Sequence, residues 1–367
     1  MNIPRIHSFG LAEWVKYYIG RIRYNLIDST IKAPVLSEFG IRFDYEDFQR
    51  TSRSLKGVLK RTIAETYDVP EDNVLVTSSG SEALFLAIGS SIKMGDQVLV
   101  STPNYPPTFQ VPSLFGGVVR LIFSRMKNGF QPDLQELDDS LAYRTKVVVL
   151  TNSNNPAGCM IPHHALQEIL ESARHSKVIV DEAFREFGLE NATPIAATLG
   201  DNAISLGTMS KFYGLGDLRI GWIIARKETV ERARKLKDWV TLDNSVFSET
   251  LACRILQEHE RFVKRAREFY TKNIELVQKW IATRHELKWI KPDGGLICFP
   301  RYNIPMTSLE LGRKLAEEHG VAVSPGSFFN RDRHFRLCFT RSQEELEEAL
   351  EALGRGLDSI AISNPPP

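Results

Sequence analysis

The chain has 367 residues, 46 Lys and Arg against 45 Asp and Glu, and 43% hydrophobic residues. That length suits two domains and that composition an ordinary globular protein, while a net charge of +1 gives no electrostatic reason to expect nucleic acid or an acidic membrane as partner. No apolar run reaches about 18 residues, the opening Met1-Asn-Ile-Pro-Arg-Ile-His7 lacks a signal-peptide core, and the cysteines at 159, 253, 298 and 338 have no metal-ligand spacing, so a cytoplasmic protein without a membrane span or a metal centre is expected.

Apolar residues at 11, 14, 15, 18, 19 and 22 follow the helical period and predict a helix from Leu11 that ends before Asp28-Ser-Thr-Ile31. A second helix is expected over 50–67, where Leu55, Val58, Leu59, Ile63 and Tyr67 share a face. Asn73–Thr77 reads as a strand, and Ser78-Ser-Gly-Ser81 turns it into an apolar helix reaching Ile88. A strand, a small-residue turn and a helix start leave backbone N–H groups free for a phosphate, with Gly80, Ser81 and Glu82 at the N-terminus; a plain N-cap has the same signature. Strand Gln97–Ser101 leads to Thr102-Pro-Asn-Tyr-Pro-Pro-Thr108, and strand 118–123 to a helix opened by Pro132 and Asp133. Lys146–Thr151 is apolar throughout, as in a strand buried on both faces, and delivers Asn152-Ser-Asn-Asn-Pro-Ala-Gly158. Helix 162–175 precedes a strand from Lys177 that ends at Asp181. Strand 203–207 and a hairpin return at 220–225 flank the stretch discussed next. Helical patterns follow over 227–240 and from Phe247 to about Arg284. Short strands are expected within 292–300, 321–327 and 334–339, then an acidic helix from Ser342 and a frayed Asn364–Pro367 tail.

The chemistry concentrates in Ser205-Leu-Gly-Thr-Met-Ser-Lys-Phe-Tyr-Gly-Leu-Gly-Asp-Leu-Arg-Ile-Gly-Trp222. A lysine amine, here Lys211, forms a Schiff base with an aldehyde. The hydroxyls of Thr208 and Ser210 and the guanidinium of Arg219 suit a phosphate, and glycines let the backbone approach both. An aldehyde and a phosphate on one small molecule describe pyridoxal 5′-phosphate.

This stretch resembles the cofactor-lysine segment of the class I/II, fold type I, pyridoxal phosphate-dependent aminotransferases, and five further motifs between about 50 and 345 agree with it. By that resemblance Gly80, Ser81 and Glu82 join Thr208, Ser210 and Arg219 in a phosphate cup. Tyr105 stacks on the pyridine ring. Asn155, in a segment similar to the family's Asn-Pro-(Thr/Ser)-Gly with Ala157 as a departure, binds the 3′ oxygen and lies at the substrate. Asp181 keeps the ring nitrogen protonated. Arg336, on a strand before the last helix, binds the substrate α-carboxylate. Tyr45 is the candidate aromatic hydroxyl that reaches the neighbouring subunit's phosphate. Phe184 stands where the family carries a tyrosine that also bonds the 3′ oxygen, a loss that raises the Schiff base pKa. Ser29 and Thr30 take the place of a missing Gly-Glu-Pro-like opening.

The expected architecture is α/β: a fold type I large domain with a mostly parallel seven-stranded sheet between helices, plus a smaller α+β domain. The expected divisions are 1–48 as N-terminal arm and part of the small domain, 49–245 as the large domain and 246–367 as the small domain. The expected activity is amino transfer between an L-amino acid and a 2-oxo acid through a Lys211 aldimine, with Lys211 and Asp181 catalytic, in a homodimer. The alternative is a lyase, replacement or cyclising enzyme on the same fold, similar to capreomycidine synthase. A regulatory module would need an added DNA-binding domain, and a Rossmann nucleotide enzyme a Gly-x-Gly-x-x-Gly after the first strand; neither pattern is present. No single arginine stands out for a distal substrate carboxylate among Arg21, Arg23, Arg42 and others.

Overall fold

Seven runs rich in Val, Ile and Leu form the central sheet, in the order 74–77, 221–225, 203–208, 177–181, 145–151, 97–102, 118–123. All neighbours pair in parallel except Gly221–Ala225, which runs antiparallel to both strands beside it. The computed structural model describes residues 8–42, 44–46, 48, 57–188 and 194–363; the opening Met1–His7, the 50–56 part of the second predicted helix and the 364–367 tail lie outside the described residues.

Both faces of the sheet are covered, which is why its inner strands carry no polar alternation. Val98, Val100, Val147 and Val149 pack with Leu84, Ile88 and Val230 of helices Gly80–Gly89 and Lys227–Lys237. On the other face Leu99, Val148, Leu150 and Val180 meet Leu137, Leu166 and Ile169 of helices Leu134–Ser140 and His163–Ser172. Each of these buried side chains contributes about 1.5–3 kcal/mol through removal from water.

The C-terminal part is built on antiparallel pairs, Phe335–Cys338 between Ile297–Cys298 and Ser324–Pro325, backed by helices His259–Ala282, Ser308–His319 and Gln343–Ser363. The N-terminal segment joins it, since Tyr24–Asn25 pairs in parallel with Val321–Ala322.

Two predicted elements differ. The first helix covers only Gly10–Tyr18, because Gly20 takes a left-handed φ of 74° and the chain then turns to pair with 321–322. The helical stretch from 247 to 284 is two helices, Val246–Gln257 and His259–Ala282, broken at Glu258, whose φ of −103° and ψ of 18° leave the helical well.

Candidate active site

Parallel strands bring their carboxyl ends to one edge of the sheet, and here that edge collects the polar residues. Strand Val74–Thr77 ends at the Ser79–Gly80 turn, Gln97–Thr102 leads to Tyr105, Thr145–Thr151 to Asn155, Lys177–Asp181 ends on Asp181, and Ala203–Thr208 on the Thr208–Lys211 segment. They line a cavity of about 470 Å³, which Arg336 enters from the C-terminal sheet and residues 27–30 from the N-terminal segment. Gly80, Ser81, Tyr105, Asn155, Asp181, Phe184, Thr208, Ser210, Lys211, Arg219 and Arg336 all face it, as the sequence motifs expect.

At the hydroxyl end, the Ser210 backbone N–H donates to Thr208 Oγ1 at 3.2 Å, and the two hydroxyls lie 3.0 Å apart. The Gly80 and Ser81 N–H groups precede the first intrahelical bonds of Gly80–Gly89; Ser79 Oγ takes the N–H of Glu82 at 3.1 Å and Ser79 O that of Ala83 at 3.0 Å. Gly80 itself is crowded, since a Cβ there would lie 3.2 Å from Thr208 Cβ. Helix N–H groups that precede the first intrahelical bonds, two hydroxyls and Arg219 suit a phosphate ester.

Deeper in, Asp181 accepts the Ala183 N–H at 3.1 Å. Burial raises its pKa, opposed by that hydrogen bond and by the charge of Lys211. Lys211 is shifted down by burial and then by the charge of Arg336. Its Nζ donates to Ser29 Oγ at 2.9 Å and stands 5.5 Å from the centre of the Phe184 ring. Phe184 is 1% exposed and offers the cavity a ring and no hydroxyl.

Arg336 is 3% exposed. Its Nη1 donates to Asn155 Oδ1 at 3.0 Å and its Nη2 to Ile27 O at 3.0 Å, while Nε has no partner among the described residues. With its oxygen engaged, Asn155 keeps its amide N–H₂ as a donor. A cavity with a lysine amine, a carboxylate, an anion cradle and a buried guanidinium has the donor set that an aldehyde-bearing phosphate ester and an amino acid carboxylate require.

Two expected site residues stand elsewhere. The Glu82 carboxylate turns back to accept from the Ser78 N–H and the Thr241 hydroxyl, so it closes the helix N-terminus and does not line the cavity. Tyr45 is 62% exposed and outside the cavity of its own chain. Arg21 and Arg23 lie over the rings of Tyr17 and Tyr24, and Arg42 is exposed; none lines the cavity. Sequence reasoning missed Ser79, Asp28 and the wall formed by Phe9, Leu11 and Val15. Serine before a helix was the available signal for the first; the others depend on the N-terminal segment folding back.

Residues 23–353 match the family model described as aminotransferase class I and II. The chain is 30% identical to a capreomycidine synthase from Streptomyces vinaceus over 80% of this chain and 76% of that protein. It is 27% identical to an aspartate aminotransferase from Thermotoga maritima over 90% of this chain and 89% of that one. A crystal structure of a PLP-dependent aminotransferase from Streptococcus suis superposes with a TM-score of 0.90 at 27% identity, covering 98% of this chain and 99% of that chain.

Proposed function

The chain belongs to the class I and II aminotransferases, and from that premise we propose that its cavity carries out pyridoxal phosphate-dependent amino transfer between an L-amino acid and a 2-oxo acid. The observation that carries this reading is that Asp181 at the end of one strand, Lys211 in the segment after a second and Arg336 within a third face one cavity beside the Thr208–Ser210–Arg219 cradle.

Thr208, Ser210, Arg219 and the N–H groups of Gly80 and Ser81 would hold the phosphate of the cofactor, Tyr105 its ring face, Asn155 its 3′ oxygen, Asp181 its ring nitrogen and Lys211 its aldehyde carbon. When bound, pyridoxal phosphate supplies a carbon that receives the amino group and a conjugated ring that withdraws electrons from the substrate α-carbon. Arg336 holds the α-carboxylate and so fixes the α-C–H relative to Lys211. Lys211 Nζ takes the α-proton as general base. Burial and the nearby guanidinium make its free amine available at lower pH than for an ordinary lysine. Burial raises the Asp181 pKa against the Ala183 N–H and the charge of Lys211, and a protonated ring nitrogen would favour its carboxylate further. The Phe184 ring is the apolar surface beside Lys211 Nζ and disfavours water at the reacting end.

A homodimer goes with this reading. Tyr45, Trp239 and Leu242 leave large apolar surface exposed, Trp239 at 90%, and Tyr45 would serve the neighbouring subunit. Four buried free thiols support a reducing cytoplasm as the compartment. The pairing of Tyr24–Asn25 with Val321–Ala322 supports grouping the N-terminal arm with the small domain.

Absorbance of the purified, cofactor-loaded protein tests the reading. An amino acid should bleach the visible band that borohydride fixes to Lys211, and a 2-oxo acid should restore it. A band that persists while ammonia or a cyclic product accumulates would instead establish the lyase or cyclising chemistry, which Phe184 and the similarity to a capreomycidine synthase favour. No band with added pyridoxal phosphate would refute both.

A further inference from the structure

We propose that Ser29 is the positioning residue for Lys211: its hydroxyl holds the lysine amine at the reacting end of the cavity in both of the protonation states that proton transfer requires. The inference rests on the amino-transfer reading above and adds a residue to it.

Ser29 Oγ accepts from Lys211 Nζ at 2.9 Å across 182 residues of sequence, and Ser29 is 7% exposed. Among the described residues it is the hydrogen-bond partner of that amine. The charged and titratable groups facing Lys211 are Asp181 from strand Lys177–Asp181, Arg336 and Cys338 from strand Phe335–Cys338, and Asp28 beside Ser29. These groups act on Nζ through their fields, whereas Ser29 touches it.

A hydroxyl has one O–H and two lone pairs, and it rotates. It accepts from Nζ when the lysine is an ammonium and donates to Nζ when it is the free amine. A carboxylate at this position would hold the ammonium and suppress the base, while glycine or alanine would leave the long side chain free among its rotamers. In the transfer itself the C–H bond electrons stay on the substrate carbon, the Nζ lone pair forms the new N–H bond, and Ser29 neither gains nor loses a proton.

Ser29 can position because the chain around it is pinned on both sides. Leu26 N donates to Ala322 O at 3.0 Å and Leu26 O accepts from Cys338 N at 2.9 Å. Asp28 O accepts from Thr340 Oγ1 at 2.7 Å, and the Asp28 carboxylate lies 3.3 Å from Arg341. On the far side, residues 31–33 run against Gly214, whose φ is +74° and where a Cβ would lie 2.8 Å from Ile31 O. Gly214 N in turn donates to Lys211 O at 3.2 Å. The same strap gives Ile27 O to Arg336 at 3.0 Å, so the carboxylate binder and the amine are referenced to one short piece of backbone.

The test compares wild type, Ser29→Ala and Ser29→Thr. In the cofactor-free protein, competitive labelling with acetic anhydride across pH, read on the Lys211 peptide by mass spectrometry, gives the pKa of the amine. Ser29→Ala should lower it by about half to one unit, because the ammonium loses more than the free amine does; Ser29→Thr should stay near wild type. In the loaded protein, half-reactions with the fastest-bleaching of the common L-amino acids, protiated and α-deuterated, should slow about 10- to 100-fold in Ser29→Ala. The isotope effect should rise and KM change little, with Ser29→Thr restoring the rate to within about threefold. A Ser29→Ala protein with either the wild-type labelling pKa or the wild-type isotope effect overturns the proposal. If no amino acid bleaches the wild-type band, the amino-transfer reading fails, and the labelling arm alone then decides whether Ser29 holds the amine.

Discussion

Replacing Arg336 by lysine tests the carboxylate end of the cavity. The guanidinium is buried and already divided between Asn155 Oδ1 and Ile27 O, each at 3.0 Å. A lysine keeps the charge but has a single nitrogen, so it cannot reach both acceptors and also present a planar fork to a carboxylate. Losing one charge-assisted hydrogen bond to substrate costs about 2–3 kcal/mol, or roughly 30- to 160-fold in kcat/KM. Leaving Asn155 Oδ1 or Ile27 O without a donor costs a further 1–3 kcal/mol or so of stability. The discriminating assay is a stopped-flow half-reaction with an amino acid and with the amine left by its decarboxylation. Wild type should prefer the amino acid strongly, and Arg336→Lys should lose most of that preference while its rate with the amine changes little. A variant that keeps the full preference would show that another group holds the carboxylate and that Arg336 only ties the N-terminal strap to the C-terminal sheet.

Lys211→Ala should abolish the borohydride-reducible attachment and lower turnover about 10²- to 10⁴-fold, with partial recovery when a small primary amine is added; undiminished turnover would remove Lys211 from the base role. Phe184→Tyr adds a para hydroxyl donor to a ring whose centre lies 5.5 Å from Nζ. It should lower the pKa read from a pH titration of the visible band by about one unit, and an unmoved titration would mean that the hydroxyl finds no cofactor oxygen. Glu182 is buried beside Asp181, and burial pushes its carboxyl from 4.5 to about 7 against the opposing charge of Arg185. A folded-state pKa raised for an acid means that stability is highest below the unfolded value and declines as pH rises from about 4.5 to about 7, by up to about 3 kcal/mol. Urea melts of the cofactor-saturated protein over that range should show the decline in wild type and a flatter profile in Glu182→Gln; parallel profiles would refute the assignment.

What could be read from the sequence is what local pattern encodes. Continuous apolar runs such as Val147–Leu150 belong to strands covered on both faces, and the turns that follow them carry Tyr105, Asn155 and Asp181 to one edge because parallel strands share a direction. The cradle was legible for the same reason, since Thr208, Ser210 and Lys211 leave a single strand end. Glu82 shows the limit of such a motif: the pattern expects its backbone N–H to be free for a phosphate, whereas Ser79 Oγ takes that N–H and the carboxylate reaches back to the Ser78 N–H and the Thr241 hydroxyl.

The N-terminal segment shows where such reading stops. Its apolar spacing fits one longer helix, yet the helix ends at Tyr18 because the following residues gain more by pairing with Val321–Ala322 and burying Leu26 and Ile27 than by adding turns. No local signal announces a pairing partner some 300 residues away. Once that pairing is made, the consequences follow in order: Ile27 O meets Arg336, Asp28 meets Arg341, and Ser29 arrives within hydrogen-bond reach of Lys211. A serine that looks like a substitution for a missing opening motif thus acquires its chemistry from tertiary structure alone. The same dependence predicts that substitutions weakening the strap without removing a charge that faces the amine, such as Thr340→Val, act on Lys211 at a distance. Loss of the Thr340 Oγ1 bond to Asp28 O should blur the Lys211 labelling profile in the same direction as Ser29→Ala but by less, and an unchanged profile would mean that backbone pairing alone suffices to hold Ser29 in place.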